Sequence, residues 1–275
     1  MVSVLAVAAV VLAAPDAGAA VVEAIPGDAE CRPLPAWRGP IAFGPGEVLE
    51  YDLDALGAKA GRMTMSVKPP REQRLAVEVA IETNTFFSKV RRVKGSGTSY
   101  LNSKTLKPVR YWEDAMENEV HRTAEVTFEP HLAHLVATMG DRRGEADLPF
   151  GADGLDVAGA IYLMRQLPLK QGTALCFDIY GIRRIWRVWG TVQPREHVSL
   201  PVGEFEAWHL AGQAARLDMP NARREVHVWI SDDPRRLPLA ALGSIDVGTI
   251  RATLTGFNRP GDRTKEAENK ANIKW

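Results

Sequence analysis

An excess of charge of either sign is missing from this chain. Lys and Arg total 34, Asp and Glu also total 34, and the formal net charge over 275 residues is zero. No overall field would draw the protein onto nucleic acid or an anionic membrane. Arg-Arg pairs at 91–92, 142–143, 183–184, 223–224 and 235–236 are dispersed among acids and read as solvated strand ends and turns. Catalytic signatures are equally scarce: there is no HExxH, no Walker loop and no dinucleotide fingerprint. Gly95-Ser-Gly-Thr-Ser99 lacks the Gly-x-Ser-x-Gly order of a nucleophile elbow and reads as a bulge or turn. Of the six histidines (121, 131, 134, 197, 209 and 227), only His131 and His134 are close in sequence. In an extended segment that odd separation sends them to opposite faces, so neither a metal site nor a cofactor is expected.

Long hydrophobic runs are missing too. Met1–Ala14 holds 13 apolar residues, too few to cross a bilayer, but suited to the core of a signal peptide. Small residues at Ala17 and Ala19 supply a cleavage pattern, so residues 1–19 are expected to be a signal peptide and the protein periplasmic or secreted. No Lys or Arg precedes the apolar run, and the alternative is a buried N-terminal strand. Cysteine is nearly absent, with only Cys31 and Cys176. In an exported protein an even count suggests a disulfide between them, the alternative being two separate thiols. Gly-Asp-Ala-Glu precedes Cys31 in place of a lipidation signal, which argues against a lipid anchor.

What the chain has is alternation. Residues 20–45 hold five prolines and little periodicity, and read as an extended arm. Leu49, Tyr51 and Leu53 then alternate with Glu50, Asp52 and Asp54, as in a half-buried strand. The same period recurs at Met63–Val67, Leu75–Ile81 and Val120–Phe128. It resumes over 174–180, 184–192, 204–212, 223–230, 237–242 and 244–257. Asp153–Leu167 breaks the period: it is too long and too rich in Ala, Leu and Met for a strand. It predicts one helix over about 154–167, capped by Asp153, stopped by Pro168, with Asp156 and Arg165 favouring its two ends. Being apolar nearly all round, that helix should be buried against the sheet. The expected fold is mainly β: one domain over 46–258, a large curved antiparallel or barrel-like sheet with a single substantial helix. Residues 259–275 read as a polar disordered tail.

Three segments carry a resemblance. Gly46-Glu-Val-Leu-Glu-Tyr51, Asp156–Leu169 with Gly172, and Trp229-Ile-Ser-Asp-Asp-Pro-Arg-Arg-Leu-Pro-Leu239 with Gly248 occur in an order and spacing that resembles domain of unknown function 3108. This is a family of bacterial envelope proteins, and the similarity covers about residues 44–258. Ala158 stands where members often carry Ser. The resemblance implies an exported β-rich domain and brings no established activity.

Aromatic placement supplies the candidate site. Trp189 shares a strand face with Arg187 and Thr191, opposite Trp186, Val188 and Val192, and Trp229 shares one with Glu225 and His227, opposite Val226, Val228 and Ile230. Trp189, Trp229, Arg187 and His227 could therefore stack on a sugar ring or line a pocket, unless the sheet simply buries both faces. The expected function is non-enzymatic: an envelope protein that binds an amphipathic ligand, a lipid or lipid-linked glycan, in its curved sheet. One alternative is a structural adaptor for other envelope proteins, using a sheet edge, the arm and the tail ending in Trp275. A third reading is a glycan hydrolase built on Asp232 and Asp233, whose adjacency and following Pro-Arg-Arg favour a turn instead.

Overall fold

Sixteen strands and one α-helix make up the computed structural model, which describes residues 24–37, 39–245 and 248–259. The expected signal peptide and nearly all of the expected polar tail lie outside the described residues. The first eight strands are β1 (Val48–Ala55), β2 (Ala58–Arg71), β3 (Arg74–Thr83), β4 (Val93–Asn102), β5 (Pro108–Glu117), β6 (Val120–Glu129), β7 (Leu132–Met139) and β8 (Arg142–Pro149). A short β9 (Gly154–Asp156) leads into α1 (Val157–Met164). Then follow β10 (Ala174–Gly181), β11 (Arg184–Val192), β12 (Glu196–Leu200), β13 (Gly203–Arg216), β14 (Arg223–Ser231), β15 (Pro238–Ile245) and β16 (Gly248–Asn258).

All sixteen join one sheet, in the order β8 to β1, then β16, β15, β14, β13, β11, β10 and β9, with β12 paired to β13. Every pairing is antiparallel except β9 with β10. Several hairpin turns carry two consecutive residues with positive φ, the backbone of tight two-residue turns: Glu72-Gln73, Asn118-Glu119 and Ile182-Arg183. The sheet curls on itself without closing. Tyr180 and Ile185, at the tip of the β10–β11 hairpin, pack against Ala124, Val126 and Leu135 of β6 and β7. Arg183 reaches across to the Glu113 carboxylate and the Thr123 carbonyl, 3.4 Å each.

Alternation decides which side each residue faces. Leu49, Tyr51 and Leu53 are buried while Glu50 is exposed, and Leu75 and Val77 share the buried side. α1 lies across this concave side, touching β3 and β4 on one flank and β9 and β10 on the other. Its Tyr162, Leu163 and Met164 are buried among Leu49, Met65, Leu155, Leu237 and Leu254. The helix is shorter than the sequence suggests. Gly154–Asp156 is drawn into pairing with β10, so Asp156, not Asp153, is the N-cap and accepts a hydrogen bond from the Gly159 amide at 2.6 Å. Asp153 instead accepts from the Leu34 amide (2.8 Å) and pairs with Lys107.

Two more expectations are corrected. Gly95–Ser99 is neither a turn nor a bulge but regular β4. Its glycines are needed for space, since a Cβ at Gly97 would run into the Tyr111 ring. The strands read as 237–242 and 244–257 are divided differently: β15 runs on through Gly243, which pairs normally with Val226 and Ile250, to Ile245, and β16 begins at Gly248.

Candidate functional site

The three segments that carry the resemblance meet at one buried ion pair. Arg165, at the end of α1, makes two hydrogen bonds to Glu47, at 2.6 and 2.9 Å, and both side chains are fully buried. Its remaining donors reach the carbonyls of Arg236 (2.8 Å) and Arg235 (3.2 Å), and its guanidinium lies 5.0 Å from the Phe43 ring centre. Arg236 returns the contact, donating to the carbonyl of Leu167 at 2.8 Å. The Asp-Asp-Pro-Arg-Arg turn is thus fastened to the helix end. A charge at a helix C-terminus would account for Arg165 by itself, but its role here is to be one half of a desolvated pair.

Asp232 and Asp233 are turn residues with separate duties. Asp232 accepts from Arg195 (2.6 Å) and the Trp208 indole (2.7 Å), while Asp233 pairs with Arg235 at 2.7 Å. At the other end of the helix, Asp156 is buried and also accepts from Ser99 at 2.5 Å. Burial pushes its pKa up to about 6, against the opposing pull of the Ser99 and Gly159 hydrogen bonds.

Strands β11, β13 and β14 present two unlike faces. On the concave side, Val188, Leu210, Val226 and Val228 are only half-buried, beside the C-terminal end of α1. With Met164, Leu175 and Phe177 they line a small cavity of about 60 Å³, bounded almost wholly by carbon. Met63, Val79 and Ile81 of β2 and β3 are likewise half-buried against the same core.

The convex face carries the four residues singled out from the sequence. Trp189 and His227 line an open depression of about 940 Å³, together with Gly190, Gln213, Arg223 and Glu225. Residues 24, 26 and 30 of the N-terminal arm form one rim. The Trp189 indole nitrogen is buried and has no hydrogen-bond partner among the described residues. Gly190 faces Gly212 across β11 and β13, where a Cβ on either would collide with the opposite backbone, so glycine at both positions lets the two strands approach closely here. Arg187 lies under the arm rather than in the depression. It donates to Asp178 (2.8 and 2.9 Å), Asp28 (2.5 Å) and the Pro26 carbonyl (2.8 Å). Cys31 and Cys176 are joined there, with Cα atoms 5.0 Å apart.

Trp229 sits beside the depression, stacked on His209 with ring centres 4.5 Å apart. His209 in turn meets His227, Nε2 to Nδ1, at 2.8 Å. This pair is invisible in sequence spacing, because the β13–β14 register sets the two side by side. Burial lowers the pKa of His209. Among the described residues, no group of three or more His, Cys, Asp or Glu is gathered as metal ligands. No described helix is long and apolar enough to cross a membrane.

A β-barrel-like protein of domain of unknown function DUF1849 from Brucella abortus is similar in fold, with TM-score 0.56 and 9% identity over 79% of this chain and 99% of that one. A candidate lipoprotein from Parabacteroides distasonis superposes more loosely, with TM-score 0.33 and 11% identity over 79% of this chain and 98% of that one. A candidate exported protein with a YmcC-like fold from Bacteroides fragilis gives 0.31 and 8%, over 82% and 100%. The last two superpositions are too loose to carry an argument. No curated protein matches the chain. Residues 50–255, the sheet from β1 to β16 with its helix, match the family described as Protein of unknown function (DUF3108), and the chain belongs to that family.

Proposed function

We propose that this is a non-catalytic, exported protein of the bacterial envelope that holds an amphipathic ligand, a lipid or lipid-linked glycan, against the concave side of its sheet. One observation carries the reading. The middle of the concave side is filled by α1 and its core, yet Val188, Leu210, Val226 and Val228 remain half-buried beside it with no polar group among them. Apolar side chains left accessible in a row suit the hydrocarbon part of a ligand. The cavity itself is too small for an acyl chain, so the ligand would lie along the strip and displace water from it. Adaptor binding by strand addition is less well supported, because the free edge at β8 carries Arg142, Arg143 and Glu145, charges that discourage edge pairing.

Native mass spectrometry of the purified chain should show co-purifying lipid, and titration with a single-chain phospholipid should saturate. Leu210→Glu and Val228→Glu should each weaken that binding at least tenfold, as a charge placed against hydrocarbon is costly. Trp189→Ala, on the convex face, should leave it unchanged. Clean protein that shows no shift on titration would overturn the reading. Loss of binding on Trp189→Ala alone would move the ligand to the other face.

A further inference from the structure

His209 and His227 are held in an arrangement that a hydrogen bond alone does not require. They project from β13 and β14 on the convex face, one diagonal step apart in the register that sets His209 opposite Trp229 and Ala211 opposite His227. The facing nitrogens, His209 Nε2 and His227 Nδ1, are 2.8 Å apart. Each ring's outer nitrogen is turned toward a carboxylate. His227 Nε2 lies 2.9 Å from Glu225 Oε1, and His209 Nδ1 lies 3.8 Å from Glu196 Oε1. Trp229 stacks on His209 with planes 8° apart, and its indole nitrogen donates to the same Glu196 carboxylate. Both rings are therefore fixed in orientation while staying about one-fifth exposed, at 17% and 20% of their side-chain surface.

We propose that His209 and His227 form a two-nitrogen chelate for a borderline divalent transition metal ion (Cu²⁺, Ni²⁺ or Zn²⁺) at the edge of the convex depression. Metal-binding histidines ordinarily donate the N–H of the outer nitrogen to a carboxylate, which fixes the tautomer and turns the other lone pair toward the ion. Glu225 and Glu196 stand where those acceptors are needed. Ligands ~2.1 Å from a common ion under a tetrahedral angle lie roughly 3.4 Å apart, so the facing nitrogens need to separate by only a little over half an ångström. A rotation of either ring supplies that. The proton now shared between the facing nitrogens moves to the outer nitrogen of one ring, so a neutral pair binds without net proton release. Water fills the remaining positions, and since His227 lines the depression, an anionic group of a bound molecule can replace it. Imidazole donors suit these three ions, and the affinity order Cu²⁺ above Ni²⁺ and Zn²⁺ is expected. The inference does not rest on the concave ligand strip and stands or falls separately.

The test is isothermal titration of the untagged full chain with CuCl₂ in a non-coordinating buffer, together with electron paramagnetic resonance of the Cu²⁺ complex. One equivalent should bind, with two coupled nitrogens in the spectrum. His209→Phe keeps the stack on Trp229 and removes one ligand; His227→Gln removes the other. Each should weaken binding at least tenfold and reduce the spectrum to fewer nitrogens, with Glu225→Gln having a smaller effect in the same direction. His197 is the control: it is exposed and already bonded to Glu204 and Glu206 (2.8 and 3.1 Å), and His197→Phe should change nothing. The absence of a saturable equivalent, binding that survives both His209→Phe and His227→Gln, or binding lost with His197→Phe would each overturn the proposal. Should His209→Phe fail to fold, His227→Gln decides alone.

Discussion

On the concave side of β11, β13 and β14 stand Val188, Leu210, Val226 and Val228, whereas the alternate positions of the same strands put Trp189, His209, Gln213 and His227 on the convex side. The same three strands therefore serve two solvents. The concave side belongs to a core anchored by a single desolvated ion pair, Glu47–Arg165. The convex side is polar, and what covers part of it is the arm, fastened by Arg187 and by Cys31–Cys176. The contrast teaches that alternation marks two faces without ranking them. Which face is structural and which is open depends on what the rest of the chain lays over each.

The largest expected effect lies in the concave anchor. Arg165→Ala takes from the buried Glu47 carboxylate its two short hydrogen bonds and leaves it Arg259 at 3.5 Å and the Tyr162 hydroxyl at 3.3 Å, and should cost about 3 kcal/mol in urea denaturation, the lower end for a broken buried pair. Glu47→Leu combined with Arg165→Met should recover most of that loss, because a buried pair replaced by apolar groups forfeits little. A small effect of Arg165→Ala that stays small when Arg259→Gln is added would mean that water reaches the pair and that the concave side is not the closed one.

Asp156 sharpens the same point through pH. Its pKa in the folded protein, about 6, lies above the ordinary carboxylate value of the unfolded chain. Between about pH 4 and 6 the folded state thus binds more protons than the unfolded state, and stability falls as pH rises through that window. Above it the penalty is fully present and constant. Asp156→Asn retains a good helix cap and removes the titration, so relative to it the wild type should lose roughly 2 kcal/mol between pH 4 and 6. Parallel stability curves for the two proteins would show that the helix start is solvated.

Within the concave side, Leu239 is fully buried and Leu210 is half-buried. Leu239→Ala should cost about 3 kcal/mol and Leu210→Ala about 1 kcal/mol in the same assay. Equal costs would mean that the strip beside α1 is covered, and the ligand reading would lose its footing.

Much of the fold was legible because period-two alternation is a local property: Leu49, Tyr51 and Leu53 declare their side without help from distant residues. The faces of Trp189 and Trp229 followed by the same reasoning. Turns such as Ile182-Arg183 were harder, since they take positive φ without the Gly or Asn that usually signals it. The helix start could not be placed to the residue, because Asp153 and Asp156 are equally good caps. The choice is made by the pairing of Gly154–Asp156 with β10, a partner some 24 positions further along the chain. Convergence was the least legible feature. His209 and His227 meet only through strand register, and Glu47 meets Arg165 only once the helix has crossed the sheet. The partners of Arg187 were equally hidden: the strand pattern puts it beside Trp189, while its donors go to Asp178, Asp28 and the Pro26 carbonyl, two of them on the distant arm.

The smallest effect is expected at the arm. Asp28 is 68% exposed at the side chain, although it lies 2.5 Å from Arg187. Exposed pairs of this kind contribute up to about 1 kcal/mol, and less as salt rises. Asp28→Asn should therefore lower stability by less than 1 kcal/mol, with the difference shrinking further in 0.5 M NaCl. Arg187 keeps its buried partner Asp178, and the disulfide still holds the arm in place. What should change is local: amide hydrogen exchange at residues 27–31 should quicken while β11 and β13 stay protected. Slower exchange at the arm, or loosening that spreads into β11, would mean that the arm is part of the sheet's cooperative unit. The convex side would then be as closed as the concave one, and the difference between the two faces would reduce to composition alone.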